Sequence, residues 1–318
     1  IARQRITVGS LIAGLVIAVA LALLAFYQSN LATAAQVVAQ NNAATAQAAD
    51  RLAPALGMLH DKPLKAVDGS VLTLADTPKN RQAYPSLQCA KGPSFPMMRI
   101  VVLFSMVSGV ILAATQGSLA VSELSLLASL AGQIRAGDIL VGDRGFGCYP
   151  VIAWLKHGLE VDFIGRTTRG VDGRQRHKRL GTNDWLMIWK LGSKASPWLS
   201  EEQRKKLPRE MIVRIIKGKC QQRGFRVRDV TVVTTLLDPK LYPAGQILAA
   251  HLRRWRLEMC LDDLKTTLKM DTLRGRTPEM AQKEMYLRLI GHNLIRCVAA
   301  QAAERGEVAL ERISFKGT

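Results

Sequence analysis

Apolar positions along the chain change their rhythm near residue 58. Upstream, "LIAGLVIAVALALLAFY" from Leu11 to Tyr27 is an uncharged apolar run of 17 residues, marginally long enough to span a bilayer as a helix. The basic "IARQR" ahead of it suits an inside N-terminus or a signal sequence. An Ala- and Gln-rich stretch then predicts a polar helical stalk up to residue 57. Downstream, strand patterns, glycine turns and dense Lys/Arg take over. "LKAVDGSVLTL" alternates as a strand and meets a turn signal at "DTPKN". "MMRIVVLFSMVSGVILAAT" holds two apolar strand-like runs about a glycine. Ser122 and Glu123 open a helix through "ELSLLASLAGQI", and "GDILVGDRGFG" is a short buried strand closing at Asp143 in a Gly-rich turn. "YPVIAWLKHG" reads as an amphipathic helix and "LEVDFIGRT" as the next strand.

This succession of strands and helices predicts an α/β fold. The stretch from 166 to about 235 breaks the rhythm with "DWLMIWKL", "EMIVRIIKGKC" and "RDVTVVTTL", a mostly β insertion. A long helix follows from about Ala244 to Lys269, and a second from Pro278 to about Glu304, with Thr277 as N-cap and Pro278 in the first turn. The chain therefore divides into residues 1–57, a transmembrane-like helix with its stalk, and residues 58–318, an α/β domain carrying the insertion. The two parts make an ill-matched pair, which predicts that a foreign segment has been joined to the domain. The other reading is a protein tethered to a membrane through residues 11–27.

Charge narrows the choice of partner. The net charge of +19 and pI near 10.2 attract polyanions, nucleic acid first and anionic membrane second; a merely basic surface is the bland alternative. The 5 cysteines are scattered, without a CxxC pair or a Cys/His cluster, so neither a disulfide framework nor a zinc module is indicated. No HExxH and no Gly-rich phosphate loop is present.

Three acids occupy places where chemistry can be built: Asp68 in "VDGS", Asp143 at the end of "DILVGD", and Glu258 in "HLRRWRLEMCLDDLK". Open α/β sheets bind ligands beyond their strand ends, and grouped carboxylates suit hard divalent cations. Taken singly, "DG" and "DRG" are ordinary turn signals and Glu258 is an ordinary partner for Arg254. On a regular helix, at roughly 100° per residue, Arg254, Glu258 and Lys265 fall within about 40° of one another and His251 within about 60°.

The order of these motifs resembles the DDE transposases of bacterial insertion sequences, specifically the IS-four family. The resemblance runs from about Leu64 to Lys316 and rests on "VDGSVLTLADTPKNRQAYP", "GDILVGDRGFGCYP" and "HLRRWRLEMCLDDLKTTLKMDTLRGRTPEM". The family's helix signature of Tyr, Arg, Glu and Lys falls on His251, Arg254, Glu258 and Lys265, with His251 in place of the tyrosine. The resemblance implies a ribonuclease-H-like mixed sheet flanked by helices, and Asp68, Asp143 and Glu258 as catalytic ligands of two Mg²⁺ ions, Mn²⁺ being the other candidate. It implies phosphate contacts from Arg254 and Lys265; His251, and Arg144 beside Asp143, are expected to join them. Arg174, Arg176, Lys178 and Arg179 in "RTTRGVDGRQRHKRL", and the later "RGFRVR", are expected on the DNA backbone. Trp185, Trp189 and Trp198 are candidates for core packing or for stacking on an unpaired base. The implied activity is nicking at element ends followed by strand transfer to target DNA, with a homodimer as the synaptic unit and the nucleoid as its place in the cytoplasm. The unrelated segment ahead of Asp68 and the stop at "ISFKGT" predict a copy truncated at both ends and impaired in transposition. A membrane-anchored, non-catalytic DNA-binding or lysis-type protein is the alternative.

Overall fold

The structure, a computed structural model, describes residues 58–85, 88–89, 92–167, 173–193, 196–220 and 228–317. The apolar run at 11–27 and its Ala/Gln-rich stalk lie outside the described residues, as do most of "RGFRVR" and residues 168–172 of the first basic run. No helix among the described residues is long and apolar enough to cross a membrane.

One large mixed sheet organises the chain. Strand β1 is Lys62–Leu74, β2 is Met97–Ser105 and β3 is Ile111–Ser118; β4 is Ile139–Gly142 and β5 is Asp162–Arg166. The insertion adds β6 (Arg176–Gly181), β7 (Asp184–Lys190), β8 (Glu210–Cys220) and β9 (Arg228–Thr234). The spatial order is β3-β2-β1-β4-β5-β9-β8-β7-β6. The pairs β1–β2 and β2–β3 are antiparallel, whereas β1–β4 and β4–β5 are parallel. The β-rich stretch continues this sheet, because β9 joins the free edge of β5 in antiparallel register, Val233 opposite Gly165.

Among the described residues, seven α-helices accompany the sheet: α1 (Pro78–Ala83), α2 (Glu123–Ser129), α3 (Tyr149–Ala153), α4 (Glu201–Lys206), α5 (Ala244–Arg253), α6 (Trp255–Asp262) and α7 (Pro278–Arg305). The pleat of the strands sends alternate residues to two separate cores. Ala66, Ile100, Val102 and Phe104 pack with Leu257, Leu261, Leu264 and Leu289 of the C-terminal helices. Val67, Val101 and Leu103 face the other way, toward Leu126, Leu127, Val151 and Leu155. Burial on both faces explains why β2 reads as an unbroken apolar run.

Three sequence expectations change. "DTPKN" starts a helix: the Thr77 hydroxyl accepts from the Asn80 amide at 3.2 Å, and Pro78 sits in the first turn. The stretch "YPVIAWLKHG" is no amphipathic helix, since Tyr149, Val151, Ile152, Ala153, Trp154 and Leu155 are all buried. It ends in a π turn, Trp154–Gly158. The long helix expected from Ala244 to Lys269 is interrupted. At Arg254 it tightens, with i to i+3 bonds from Arg254 N to His251 O at 3.1 Å and from Leu257 N to Arg254 O at 2.9 Å. At Asp263–Thr267 it widens into a π turn. The even angular step that aligned residues 254, 258 and 265 is therefore not kept.

Candidate active site

The parallel pairing of β1 with β4 stops at Ala66 opposite Val141. Beyond that point β1 runs on beside β2, with Thr272–Leu273 joining it in parallel only at Thr73 and Leu74, and a gap opens between the two central strands. Asp68 sits in β1 just past the parting, and its Oδ1 accepts the Gly69 amide at 2.9 Å. Asp143 follows the last residue of β4, with its Oδ1 held by the Gly145 amide at 2.8 Å. Glu258 comes from α6. Arg254, at the tightened junction of α5 and α6, joins two of these acids: Nη2 donates to Glu258 Oε1 at 2.5 Å and Nη1 to Asp68 Oδ2 at 3.4 Å.

The electrostatics tie in the third. Burial pushes the Asp68 carboxyl up to about 6. Arg254 and the Gly69 amide oppose that rise, while the charges of Asp143 and Glu258 add to it. Three acids distant in sequence thus share one field, with a guanidinium as their resident cation. The Arg254 Nε is buried without a hydrogen-bond partner.

The other sequence-predicted residues are spread around this centre. His251 lies beside Arg254 but is only 5% exposed. Burial, then Arg254 and Arg166, depress its pKa to about 4, so it is an uncharged imidazole at neutral pH with a buried, unpartnered Nδ1. Lys265, carried aside by the π turn, lines a basic cleft with Lys269, Arg274 and Arg288. Arg144 lines a second cleft, shared with Ser122, Cys148 and Trp198. Arg174, Arg176, Lys178 and Arg179 are exposed on β6 and the turn before it, the outer edge of the sheet. Five strand spacings separate β6 from β4, roughly 24 Å, so these cations are not brought to the carboxylates.

The tryptophans have separate fates. Trp189 is 1% exposed in the core. Trp185 lies beneath Arg176 and Lys217, at 5.4 and 6.0 Å from the ring centre. Trp198 packs edge-on against Trp154 at 5.5 Å.

Residues 59–294 match the family model described as Transposase DDE domain. The chain belongs to that DDE transposase family. The IS-four resemblance read from the three motifs is borne out: Transposase InsG for insertion sequence element IS4, from Escherichia coli (strain K12), is 27% identical over 252 residues, 76% of this chain and 53% of that protein. Transposase for insertion sequence element IS421, from Escherichia coli, is 28% identical over 188 residues, 50% of each chain. The chain spans about half the length of these curated relatives. Among solved structures, a piggyBac transposase synaptic complex with hairpin DNA is similar at 12% identity and a TM-score of 0.46, over 80% of this chain and 50% of that one.

A DDE transposase domain implies divalent metal, and the donor chemistry here suits it. The set is all carboxylate oxygen, which hard cations prefer, and a positive group already bridges Asp68 to Glu258. Among the described residues, no three His, Cys, Asp or Glu side chains are gathered closely enough to hold one ion between them. Sequence reasoning did not single out Glu123 as a site residue, although its carboxylate reaches the edge of this gap. A Cβ placed on Gly69 would lie 2.9 Å from Glu123 Oε1. The only sequence signal was its position in the first turn of a helix, behind the N-cap Ser122. Lys269, Arg274 and Arg288 were also missed, because basic residues are common throughout so positive a chain.

Proposed function

We propose that residues 58–318 form the catalytic unit of an insertion-sequence transposase, which cleaves phosphodiester bonds at element ends and joins the freed 3′ hydroxyl to target DNA. The observation that carries this reading is the Arg254 bridge between Asp68 and Glu258 beside Asp143, in a gap at the centre of a mixed sheet. The strand order β3-β2-β1-β4-β5, antiparallel then parallel, supports a ribonuclease-H-like core with the insertion grafted onto β5. Asp68, Asp143 and Glu258 would hold the metal, two Mg²⁺ ions or Mn²⁺ in their stead. When bound, such ions supply Lewis-acid polarisation of phosphate and water.

The protein's own groups do the positioning. The Gly69 and Gly145 amides fix one oxygen each of Asp68 and Asp143, while the second oxygen of Asp68 takes the Arg254 contact. Arg254 offers a planar fork matched to a phosphodiester and can trade its carboxylate contacts for that anion. Lys265 and its cleft of cations, with Arg144 on the other side, would hold the flanking backbone. His251 serves as a neutral, buried wedge beside Arg254 rather than as a cation. The exposed cations of β6 lie far enough out to meet DNA about 7 base pairs from the cut, at roughly 3.4 Å per pair. A homodimer on paired element ends, associated with the nucleoid, completes the reading.

The test is nicking of supercoiled plasmid by the full chain in Mg²⁺ or Mn²⁺, beside Glu258→Gln. The variant should lose cleavage while keeping DNA affinity. Equal cleavage by both proteins would overturn the assignment.

A further inference from the structure

The gap between β1 and β4 is open on both faces of the sheet, yet the three signature acids account for only part of its rim. Glu258 reaches it from the face covered by α6 and α7. On the opposite face stands Glu123, the first residue of α2, and the sequence makes room for it. Gly69, immediately after Asp68, points its missing side chain at that face. A Cβ there would lie 2.8 Å from Glu123 Cδ and 2.9 Å from Oε1, so a side chain at this position would push the carboxylate aside. The same carboxylate looks toward the Asp143 loop. One point, the Cβ position of Gly145, lies 3.2 Å from Asp143 Oδ1 and 4.0 Å from Glu123 Oε2.

An ordinary surface ion pair does not account for this placement. The neighbouring cation is Arg99, whose Nε stands 4.0 Å from Glu123 Oε1. That Nε makes no hydrogen bond, and Arg99 spends its Nη1 on the carbonyls of Leu119 and Val121. The Glu123 side chain is 41% exposed, and its carboxylate leans over the glycine rather than closing on the guanidinium.

We infer that Glu123 is a fourth acidic residue of the site, a cation-holding carboxylate on the Asp143 side that enters through the window left by Gly69. The inference rests on the proposed catalytic reading. It gives the divalent ion near Asp143 an oxygen ligand, direct or through water, from the face opposite Glu258.

The experiment is Mn²⁺ binding to the full chain, by isothermal titration without DNA, for wild type, Glu123→Gln, Glu123→Asp, Gly69→Ala and Asp68→Asn. Thermal melts confirm folding. Glu123→Gln should weaken Mn²⁺ binding about tenfold or more, the size seen when supporting groups of metal sites are removed. Glu123→Asp should retain more affinity, and Gly69→Ala, whose methyl takes the carboxylate's place, should imitate Glu123→Gln. If Asp68→Asn loses Mn²⁺ binding while Glu123→Gln and Gly69→Ala both bind like wild type, the inference about Glu123 fails and the catalytic reading stands. If Asp68→Asn also binds like wild type, the reading of the site falls and the inference falls with it. Should Glu123→Gln not fold, Gly69→Ala and Glu123→Asp carry the decision.

Discussion

Arg214 is the side chain whose removal should tell most about how the β-rich stretch holds the start of α5. It lies on β8 and is fully buried, with its Nε 2.8 Å from Asp184 Oδ1 and its Nη2 2.6 Å from Oδ2. Its third nitrogen, Nη1, donates to the Tyr242 carbonyl at 2.6 Å, one residue before Pro243 opens α5. Replacing Arg214 by Met leaves Asp184 as an uncompensated charge in a dry place, which costs about 3–5 kcal/mol. For a domain of this size each kcal/mol moves the melting temperature by roughly 2–4 °C, so a drop on the order of 10 °C is expected. Replacing Asp184 by Leu as well removes the stranded charge and should recover most of the loss. About 1–3 kcal/mol should remain, because the Tyr242 carbonyl stays unsatisfied. Urea and thermal denaturation of wild type, both single variants and the double variant close the cycle. A single variant within about 1 kcal/mol of wild type, or a double variant as unstable as the singles combined, would refute the reasoning.

Other expectations follow from the same structure. His292 is fully buried and held well below its ordinary 6.5, at about 4, by burial first and Arg296 after it, against the favourable Gly109 carbonyl. Its neutral form is the native one. Its contribution is complete above pH 6.5 and is lost as pH falls from there toward 4, by on the order of 3 kcal/mol; His292→Gln should flatten that part of a stability–pH profile, and an unchanged slope would contradict it. A methyl on Gly147 would sit 1.9 Å from the Arg166 carbonyl oxygen, so Gly147→Ala should displace the loop after Asp143 and cost about 3 kcal/mol in a urea titration; wild-type stability would show that the loop gives way freely. Removing the charges of Arg176, Lys178 and Arg179 together should lower the slope of log affinity for duplex DNA against log salt by roughly 2 to 3, near 0.9 per lost phosphate contact. An unaltered slope would take β6 off the DNA path.

Much of the fold was legible because apolar runs and turn residues punctuate it clearly. The strands around Asp68 and Asp143, the N-caps Ser122 and Thr277 and the start of the last helix all follow from local chemistry. What failed depended on tertiary surroundings. "YPVIAWLKHG" looked one-sided until both its faces proved covered, and "DTPKN" carries residues that serve a turn and a helix start equally. The helix row of 251, 254, 258 and 265 was read with a uniform pitch. The tertiary pull of Asp68 on Arg254 and the π turn at Asp263–Thr267 have no signature in a list of residues. Glu123 was invisible as a site residue for a related reason. Its significance comes from an atom that is missing on another strand, and no spacing along the chain connects Glu123 with Gly69.

The guanidinium between Asp68 and Glu258 also bears on when the site is armed. An acidic centre that relied on metal for neutrality would repel itself open in a metal-poor cell and fold only as the ion arrived. Here one counter-charge is tethered on the chain itself, so the carboxylates are partly balanced from the moment the sheet closes. Chelation should leave the fold intact, lowering the melting temperature only by what metal binding adds. On the proposed reading, metal competes with the guanidinium for these carboxylates, and phosphate competes with the carboxylates for the guanidinium.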